Sequence, residues 1–369
     1  MISKETPRAV FVGVTSLFIL LIVGLLTLRN VAVYISEDFH QRQAIWVVLG
    51  ILVAAIVAFI DLRIFERLAP LIYWSTMVLL LLVLLFGKEI NNAKRWIDLF
   101  GLTFQPSEFA KPAVVIMLAH FFHRKRSRER YTLKRLLRPM GYVLLPAGLI
   151  MAEPDLGTAL VVLVVGFSVM FFEGIRLTSF LSLLAIVFLC VPIAWRTGVI
   201  RPYQKERIRV WLRMTKDDTK RMTLVGKEMQ PEQAQWAVGS GGLFGRGGLG
   251  ALQSKLRFLP EMHTDFVLAT FAEERGFIGT TLLLLLYATL IISLLVVAVS
   301  SKERFAVLVS IGAVAILFWQ IVFNIGMVLG LLPVVGLTLP FMSYGGSATV
   351  ASLFAVGLAL NAGIHKGLA

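Results

Sequence analysis

The chain has 369 residues, of which 57% are hydrophobic and only 16% are charged, and its mean hydropathy is +0.81. The apolar residues come in blocks about as long as a bilayer-spanning helix of ~20 residues, which excludes a soluble globular protein. The formal net charge of +14 follows from two basic loops, so it gives no support for nucleic-acid binding.

The apolar segments predict an all-α, polytopic membrane protein with about ten transmembrane helices in one domain, residues 1–369. The first segment is too long for a signal-peptide core and has no small-x-small cleavage site after it, so we expect it to remain as an anchor. The ten predicted helices lie near residues 9–28, 44–60, 68–87, 107–122, 139–152, 156–174, 177–195, 266–299, 305–328 and 344–363.

One short loop predicts the orientation of the chain. Residues 123–138 hold eight Lys or Arg against one acid, the kind of connection that stays in the cytoplasm. Both termini are then cytoplasmic, and the long 196–264 loop between helices 7 and 8 lies outside. That loop is basic as well, but the rule is weak for loops above ~60 residues. Its charge fits attraction to anionic membrane lipids or a specific anion site, and both interpretations stay open.

Five segments depart from the apolar pattern, and the predicted topology puts all of them at the outer face. Ionisable groups near a membrane are costly unless they line a watered cavity or form a site. Their convergence on one side favours chemistry at the outer leaflet over a path through the membrane centre, where transporters usually bind their ligands. The segments are 91–112, 153–158, 203–250, 259–266 and 324–348.

Two of these segments begin predicted helices. In QPSEFAKP, Glu108 and Lys111 form an i,i+3 pair that enters the span, which favours a cavity-lining role. In EPDLGT, Asp155 either caps the next helix or holds a cation together with Glu153.

Two further segments are rich in glycine. GSGGLFGRGGLG, around Arg246, lacks the GK[ST] ending of a P-loop; we expect a flexible tip, with a phosphate-binding backbone nest as the alternative. SYGGSA opens the last helix, where Ser343 and the helix N-terminus suit an anion and the small residues equally suit tight helix packing.

The segment LPEMHTDF precedes the eighth predicted helix. If that helix extends back unbroken, Asp265 stands about 16 Å above Gly276 and shares an acidic, small-residue face with Glu273. The alternative is that Thr264 or Asp265 caps the helix. His263 lacks a second metal-type ligand at i+4, which argues against a zinc site.

In order and spacing, these motifs resemble the SEDS family of bacterial shape, elongation, division and sporulation proteins. The residues that carry the resemblance are QPSEFAK, PDLGT, YQ followed by Arg207, GSGG, LPEMHTDF and NIGM…LPVVG…LPFMSYGGS. They cover roughly residues 91 to 361. NIGMVLGLLPVVG is more similar to the RodA branch of the family than to the FtsW branch.

The resemblance implies a peptidoglycan glycosyltransferase that polymerises lipid II at the outer face of the bacterial cytoplasmic membrane during cell elongation. The essential aspartate of the family falls on Asp265, which would act as general base. Basic groups or a divalent cation, Mg²⁺ or Mn²⁺, would stabilise the undecaprenyl diphosphate leaving group, and no metal ligands are assigned. The residues expected to contact the substrate are Glu108, Lys111, Asp155, Arg207, Arg246, His263 and Ser343.

The resemblance also implies partners, namely a class B penicillin-binding protein, which is a transpeptidase, and other membrane proteins of the elongation machinery. Two other functions remain as alternatives: a flippase for the lipid-linked precursor, and a scaffold for a cell-wall synthase. The polytopic fold and the ionisable Glu108 and Lys111 support the flippase, and the 196–264 loop would serve as the docking surface of a scaffold.

Overall fold

The computed structural model describes residues 2–35, 38–90, 93–99, 102–125, 130–196, 202–216, 229–256, 258–259 and 261–364. Fourteen helices and three strands lie in these residues. In chain order they are α1 (Ile2–Ile35), α2 (Phe39–Phe59), α3 (Leu62–Phe86), β1 (Lys88–Ile90), β2 (Ala93–Leu99), β3 (Leu102–Phe104), α4 (Pro106–Arg124), α5 (Leu133–Ala152), α6 (Leu156–Gly174), α7 (Leu177–Arg196), α8 (Pro202–Lys216), α9 (Gln230–Ser240), α10 (Gly247–Gly250), α11 (Leu252–Lys255), α12 (Val267–Ser300), α13 (Arg304–Val328) and α14 (Gly346–Ile364).

The described residues confirm a multi-pass helical membrane protein. Seven helices, α1, α2, α3, α6, α12, α13 and α14, are long and apolar enough to cross a bilayer. Three more long helices, α4, α5 and α7, stand where the sequence predicts spans. Most boundaries shift by a few residues, and the largest shifts, of six or seven, are at α1, α3 and α5, which begin at Ile2, Leu62 and Leu133 rather than near 9, 68 and 139.

Helix α4 is central, which explains why it is less apolar than the seven. Fifteen of its nineteen residues are buried, against α3, α5, α6, α13 and α14. A Cβ added to Gly312 of α13 would lie 2.2 Å from Cγ1 of Val115, so these two helices approach closely. Because protein surrounds α4, its surface is matched to side chains rather than to lipid, and it can carry charged residues.

A three-stranded antiparallel sheet in the order β1-β2-β3 joins α3 to α4. Ile97 pairs with Phe104 and Asp98 with Thr103. The all-α class is confirmed, and this small sheet is an addition to it in a segment that the sequence analysis predicts as polar and non-helical. The pairs Asn91-Asn92 and Phe100-Gly101, which separate the strands in the sequence, lie outside the described residues.

The glycine-rich segment packs tightly against a break in α12, and the prediction of a flexible tip is wrong. Gly276 has φ 68° and ψ −168°, which interrupts the helix. The N–H groups of Phe277 and Ile278 donate instead to the carbonyls of Gly242 (2.8 Å) and Leu243 (3.1 Å). A Cβ on Gly276 would meet the backbone nitrogen of Gly245 at 2.2 Å, so the close approach of these two backbone segments requires glycine here.

Glu273, on the turn before this break, is an anchor and not part of an exposed acidic face. Its fully buried carboxylate accepts hydrogen bonds from the backbone N–H groups of Gln253 (2.8 Å) and Ser254 (3.0 Å) and from the Ser254 hydroxyl (2.7 Å). A buried carboxylate is tolerated when several donors face it. Glu273 therefore ties the end of the 229–256 segment to α12.

Proline explains a contact between α3 and α5. Pro146 lies inside α5 and has no N–H, so the carbonyl of Tyr142 lacks its helical donor. The hydroxyl of Tyr73, on α3, donates to that carbonyl at 3.1 Å. The side chain of Tyr73 is fully buried, and its ring contacts that of Tyr142 edge to face. An interhelical hydrogen bond thus replaces the missing helical one.

We expect Tyr73→Phe to lower the free energy of unfolding by about 0.5–1.5 kcal/mol, since it orphans the Tyr142 carbonyl. In a Pro146→Ala background the alanine N–H can satisfy that carbonyl, so Tyr73→Phe should cost clearly less. Thermal unfolding of the four proteins in detergent measures the coupling. Equal costs of Tyr73→Phe in the two backgrounds would contradict this account.

Candidate active site

Asp265 lies in a tight turn, residues 261–266, immediately before α12. The N–H of Phe266 donates to the carbonyl of Glu261 at 3.1 Å and closes the turn. Helix α12 begins at Val267, and no side chain caps it. The predictions that α12 extends back through Asp265, or that Thr264 or Asp265 caps it, are both wrong. The Thr264 hydroxyl donates instead to Glu261 at 3.0 Å.

Three successive carbonyls fix this turn to the C-terminal part of the chain. The carbonyl of His263 accepts from the N–H of Tyr344 (2.8 Å), that of Thr264 from the Ser343 hydroxyl, and that of Asp265 from Nδ2 of Asn324 (2.9 Å). Asn324 also donates to the carbonyl of Leu337 at 2.6 Å. The backbone of Asp265 is therefore held rigidly, while its side chain is left for other contacts.

The Asp265 carboxyl group lies among charges from distant parts of the chain. The residue keeps some exposed surface, yet burial of the carboxyl group, the largest effect, raises its pKa to about 7. The negative charges of Glu261 and Asp155 raise it further, and the positive charges of Arg207 and Arg95 oppose them. A carboxylic acid with a pKa near neutrality is suited to take and release a proton.

Gly336 leaves room for this carboxyl group. It has φ 73°, a conformation that glycine adopts without strain. A Cβ added there would lie 3.3 Å from Oδ2 of Asp265 and 3.7 Å from Nη1 of Arg207. The loop between α13 and α14 thus passes directly beside both side chains.

Asp155 caps α6, which was one of the two roles predicted for it. Its carboxylate accepts from the N–H (3.2 Å) and the hydroxyl (2.9 Å) of Thr158. Nε2 of Gln105 donates to the same carboxylate and to Ser107 Oγ, each at 3.0 Å. Gln105 therefore joins the beginnings of α4 and α6 at the candidate site.

Glu153 precedes this cap and is fully buried. Neither of its carboxylate oxygens has a hydrogen-bond partner among the described residues. Burial, followed by the charge of Asp155, raises the pKa of Glu153 to about 8, while Arg95 lowers it. The group is thus neutral at pH 7, which removes the cost of burying a charge. Arg95, from β2, binds the backbone carbonyls of Glu153 (3.1 Å) and Pro154.

The structure places Glu108 and Lys111 together as a buried ion pair. Nζ of Lys111 lies 2.6 Å from Oε2 of Glu108, and their side chains are 1% and 7% exposed. Each charge neutralises the other between the helices that surround α4. A role of the pair in lining a substrate cavity stays a prediction.

Arg207 brings the segment between α7 and α12 to the site. It lies on α8, and its Nη1 donates to the carbonyl of Val334 at 2.9 Å. Nε1 of Trp211, one turn further, donates to the carbonyl of Gly330 at 2.9 Å. These two contacts attach α8 to the loop that carries Gly336, so Arg207 is the predicted cation that the structure places beside Asp265.

Three other predicted residues have structural contacts. Nε of Arg246 donates to the carbonyl of Ser240 at 2.6 Å, and its backbone N–H donates to the backbone carbonyl of Glu273. The His263 ring stacks on Phe39 with a centroid distance of 4.4 Å. The Ser343 hydroxyl accepts from the N–H of Leu339 at 2.8 Å while it donates to Thr264. Ser343 therefore positions the Asp265 turn and does not present a free helix N-terminus.

Sequence reasoning missed five residues that shape the site: Arg95, Gln105, Glu261, Asn324 and Gly336. All five lie within the polar segments that the sequence analysis identified, so the segments indicated the region of the site but not the role of each residue. Arg95 is placed at the site by a sheet that the sequence did not predict, and Asn324 binds backbone carbonyls that no sequence pattern identifies.

No group of three or more His, Cys, Asp or Glu side chains among the described residues is arranged to hold a metal ion. Of the two residues that could hold a cation, Asp155 accepts hydrogen bonds from Thr158 and Gln105. The divalent cation stays a prediction.

The motifs and the fold define a class of polytopic membrane proteins. A family model described as cell cycle protein, FtsW/RodA/SpoVE, matches residues 8–367, and the chain belongs to this family. It is 37% identical to peptidoglycan glycosyltransferase MrdB of Escherichia coli K12, over 88% of this chain and 86% of that protein. It is 33% identical to stage V sporulation protein E of Bacillus subtilis, over 97% of each.

Solved structures of similar proteins share the fold. One is a chain of a peptidoglycan synthase complex whose structure describes the coordination of polymerization and crosslinking. It has a TM-score of 0.81 and 32% identity to this chain, and the match covers 96% of this chain and 97% of that one. The rod shape determining protein RodA of Thermus thermophilus has a TM-score of 0.69 and 31% identity, with 96% of both chains covered. The prediction of a SEDS protein similar to RodA is confirmed.

We expect Lys111→Met to lower the free energy of unfolding by about 3–5 kcal/mol, because it leaves the buried Glu108 without its partner. The double variant Glu108→Gln/Lys111→Met removes both charges and should recover most of that loss. Thermal unfolding in detergent gives both values. If the double variant loses the sum of the two single effects, the pair is not the closed contact described here.

Proposed function

We propose that this protein is a peptidoglycan glycosyltransferase that polymerises lipid II into glycan strands at the outer face of the bacterial cytoplasmic membrane during elongation of the cell. Membership of the family and the curated names of its relatives support the reaction. The assignment of the reaction to the site at Asp265 rests on one observation: the backbone of this residue is fixed by Asn324, and its carboxyl group has a pKa of about 7.

In the proposed reaction, the Asp265 carboxylate takes the proton of the GlcNAc 4-hydroxyl of the acceptor. The hydroxyl oxygen attacks the anomeric carbon of the donor, and the bond from that carbon to the diphosphate breaks. The undecaprenyl diphosphate leaves with the electron pair. A single base with no partner acid fits direct inversion at that carbon, unlike the paired carboxylates of hydrolases.

The leaving diphosphate needs positive charge more than a proton. We assign this role to Arg207, and to Arg95 in support, because both act on the Asp265 carboxyl group. Lys111 and Arg246 are engaged with Glu108 and with backbone carbonyls. Any Mg²⁺ or Mn²⁺ would arrive with the substrate diphosphate, since such ions are commonly held by phosphates and few protein ligands.

For the topology, we propose ten spans, with α4, α5 and α7 added to the seven apolar helices. Burial of α4 inside the protein supports its inclusion despite its lower hydropathy. The basic 123–138 segment then lies in the cytoplasm with both termini, and α8 to α11 lie outside.

We further propose a class B penicillin-binding protein and other elongation proteins as partners, supported by the similarity to a chain of a synthase complex.

Replacement of Asp265 by Asn keeps the size of the side chain but removes the base. We expect it to reduce polymerisation of labelled lipid II by about 10²–10⁴-fold in detergent with the transpeptidase partner present. Glu261→Gln, which changes the neighbouring carboxylate, is the matched control and should retain most activity. Detergent abolishes the two compartments that a flippase requires, so polymer from the native chain also excludes a transport-only function. Unchanged activity of Asp265→Asn would refute the base.

The rate should also depend on pH through Asp265. Its pKa of about 7 means that the carboxyl group is protonated, and inactive as a base, as pH falls below that value. We expect the initial rate to rise about tenfold per unit below pH 7 and to level off above it. Arg207→Gln removes the charge that opposes protonation, so its profile should move to higher pH. A profile flat from pH 5.5 to 8 would contradict the assignment.

A further inference from the structure

A groove between α3 and α5 lies apart from the candidate active site. It has a volume of about 320 Å³, which is large enough to hold part of a lipid. It lies on the N-terminal half of α5, which begins within the basic 123–138 segment. The lining residues are Tyr73, Trp74, Arg138, Gly141, Tyr142 and Leu145.

Two hydrogen-bond donors in this groove are available to a ligand. The Tyr73 hydroxyl is engaged with the Tyr142 carbonyl, as described above. The indole of Trp74 is 53% exposed and Arg138 is exposed, and neither side chain forms a hydrogen bond or ion pair with a described residue. An indole N–H from α3 and a guanidinium from α5, both lining one groove, match the oxygens of a phosphate.

The charge of Arg138 indicates the sign of the ligand. None of the described residues that line the groove is acidic. Arg138 lies five residues into α5, about 7.5 Å along the helix, among exposed apolar side chains such as Leu137 and Leu144. A cation in such a position is costly without an anionic partner or access to the headgroup layer.

The order of residues along α5 matches the direction of a phospholipid. Arg138 is nearest the basic end, Gly141 follows, and Leu145 lies about 10 Å beyond Arg138 toward the middle of the helix. We propose that the groove binds one anionic phospholipid of the leaflet that faces the 123–138 segment. Its phosphate contacts Arg138 and Trp74, and an acyl chain lies over Gly141 and Leu145. Basic pockets between membrane helices suit such headgroups.

Glycine positions on α5 provide matched variants. A Cβ added to Gly141 or to Gly148 would meet no atom within 4 Å, so either can carry a larger side chain without displacing the protein. Gly141→Leu fills the groove, whereas Gly148→Leu adds the same side chain outside it. Arg138→Gln removes the charge in the groove, and Lys134→Gln removes an exposed charge one turn away that does not line it.

Binding is measured by native mass spectrometry of the purified chain, titrated separately with phosphatidylglycerol, phosphatidylcholine and undecaprenyl diphosphate. We expect one phosphatidylglycerol to bind the native chain more tightly than phosphatidylcholine. Arg138→Gln should weaken the binding of phosphatidylglycerol about fivefold, the effect of one basic group near a headgroup. Gly141→Leu should weaken it at least as much, because the leucine side chain fills the groove. Lys134→Gln and Gly148→Leu should change it by less than about twofold.

Three results would overturn the proposal. Equal retention of phosphatidylcholine would show that charge is not recognised. A loss for Arg138→Gln with none for Gly141→Leu would indicate attraction to the surface and not occupancy of the groove. Preferential binding of undecaprenyl diphosphate, weakened by the same two groove variants, would assign the groove to the released lipid carrier instead.

Discussion

The backbone of residues 263–265 carries the constraint on which the candidate site depends. Its carbonyls are bound by Tyr344, Ser343 and Asn324, which come from the end of α13 and the start of α14. Each bond uses a backbone acceptor, so the side chain of Asp265 is positioned without being consumed. A general base needs this separation, because a carboxylate that orients itself through its own oxygens has fewer of them to offer a substrate.

The polar groups near Asp265 fall into two classes, and the structure distinguishes them by their partners. Glu108, Lys111 and Glu273 are buried and satisfied, and they hold α4 and α12 in place. Burial and the charge of Glu261 raise the pKa of the Asp265 carboxyl group, and Arg207 and Arg95 act through space to oppose that rise. Rigid support thus comes from buried, hydrogen-bonded side chains, and the positive charges of the site come from the sheet and from α8.

Much of the fold could be predicted from the sequence, because long apolar segments have few alternatives in a bilayer. The polar segments likewise identified the region of the site, and Asp155 was a helix cap as its position before LGT suggested. Prediction failed where a role depends on a neighbour that is distant in sequence. The glycines of 239–250 were read as mobile because glycine permits mobility, whereas here the absence of a Cβ lets two backbones touch. The burial of Lys111 and of its partner Glu108 likewise depends on the surrounding helices and is not visible in the sequence.

The break at Gly276 separates the turn that carries Asp265 from the membrane-crossing part of α12. The apolar run from Phe277 to Ser300 is about 36 Å long as a helix, more than the ~30 Å hydrocarbon layer, and a helix of that length tilts as bilayer thickness varies. The glycine-rich segment is bonded to both sides of the break, through Arg246 to Glu273 before it and through Gly242 and Leu243 to the residues after it. It therefore splints the kink, so a change in tilt of the lower helix is shared with the 229–256 segment and is not concentrated at Gly276.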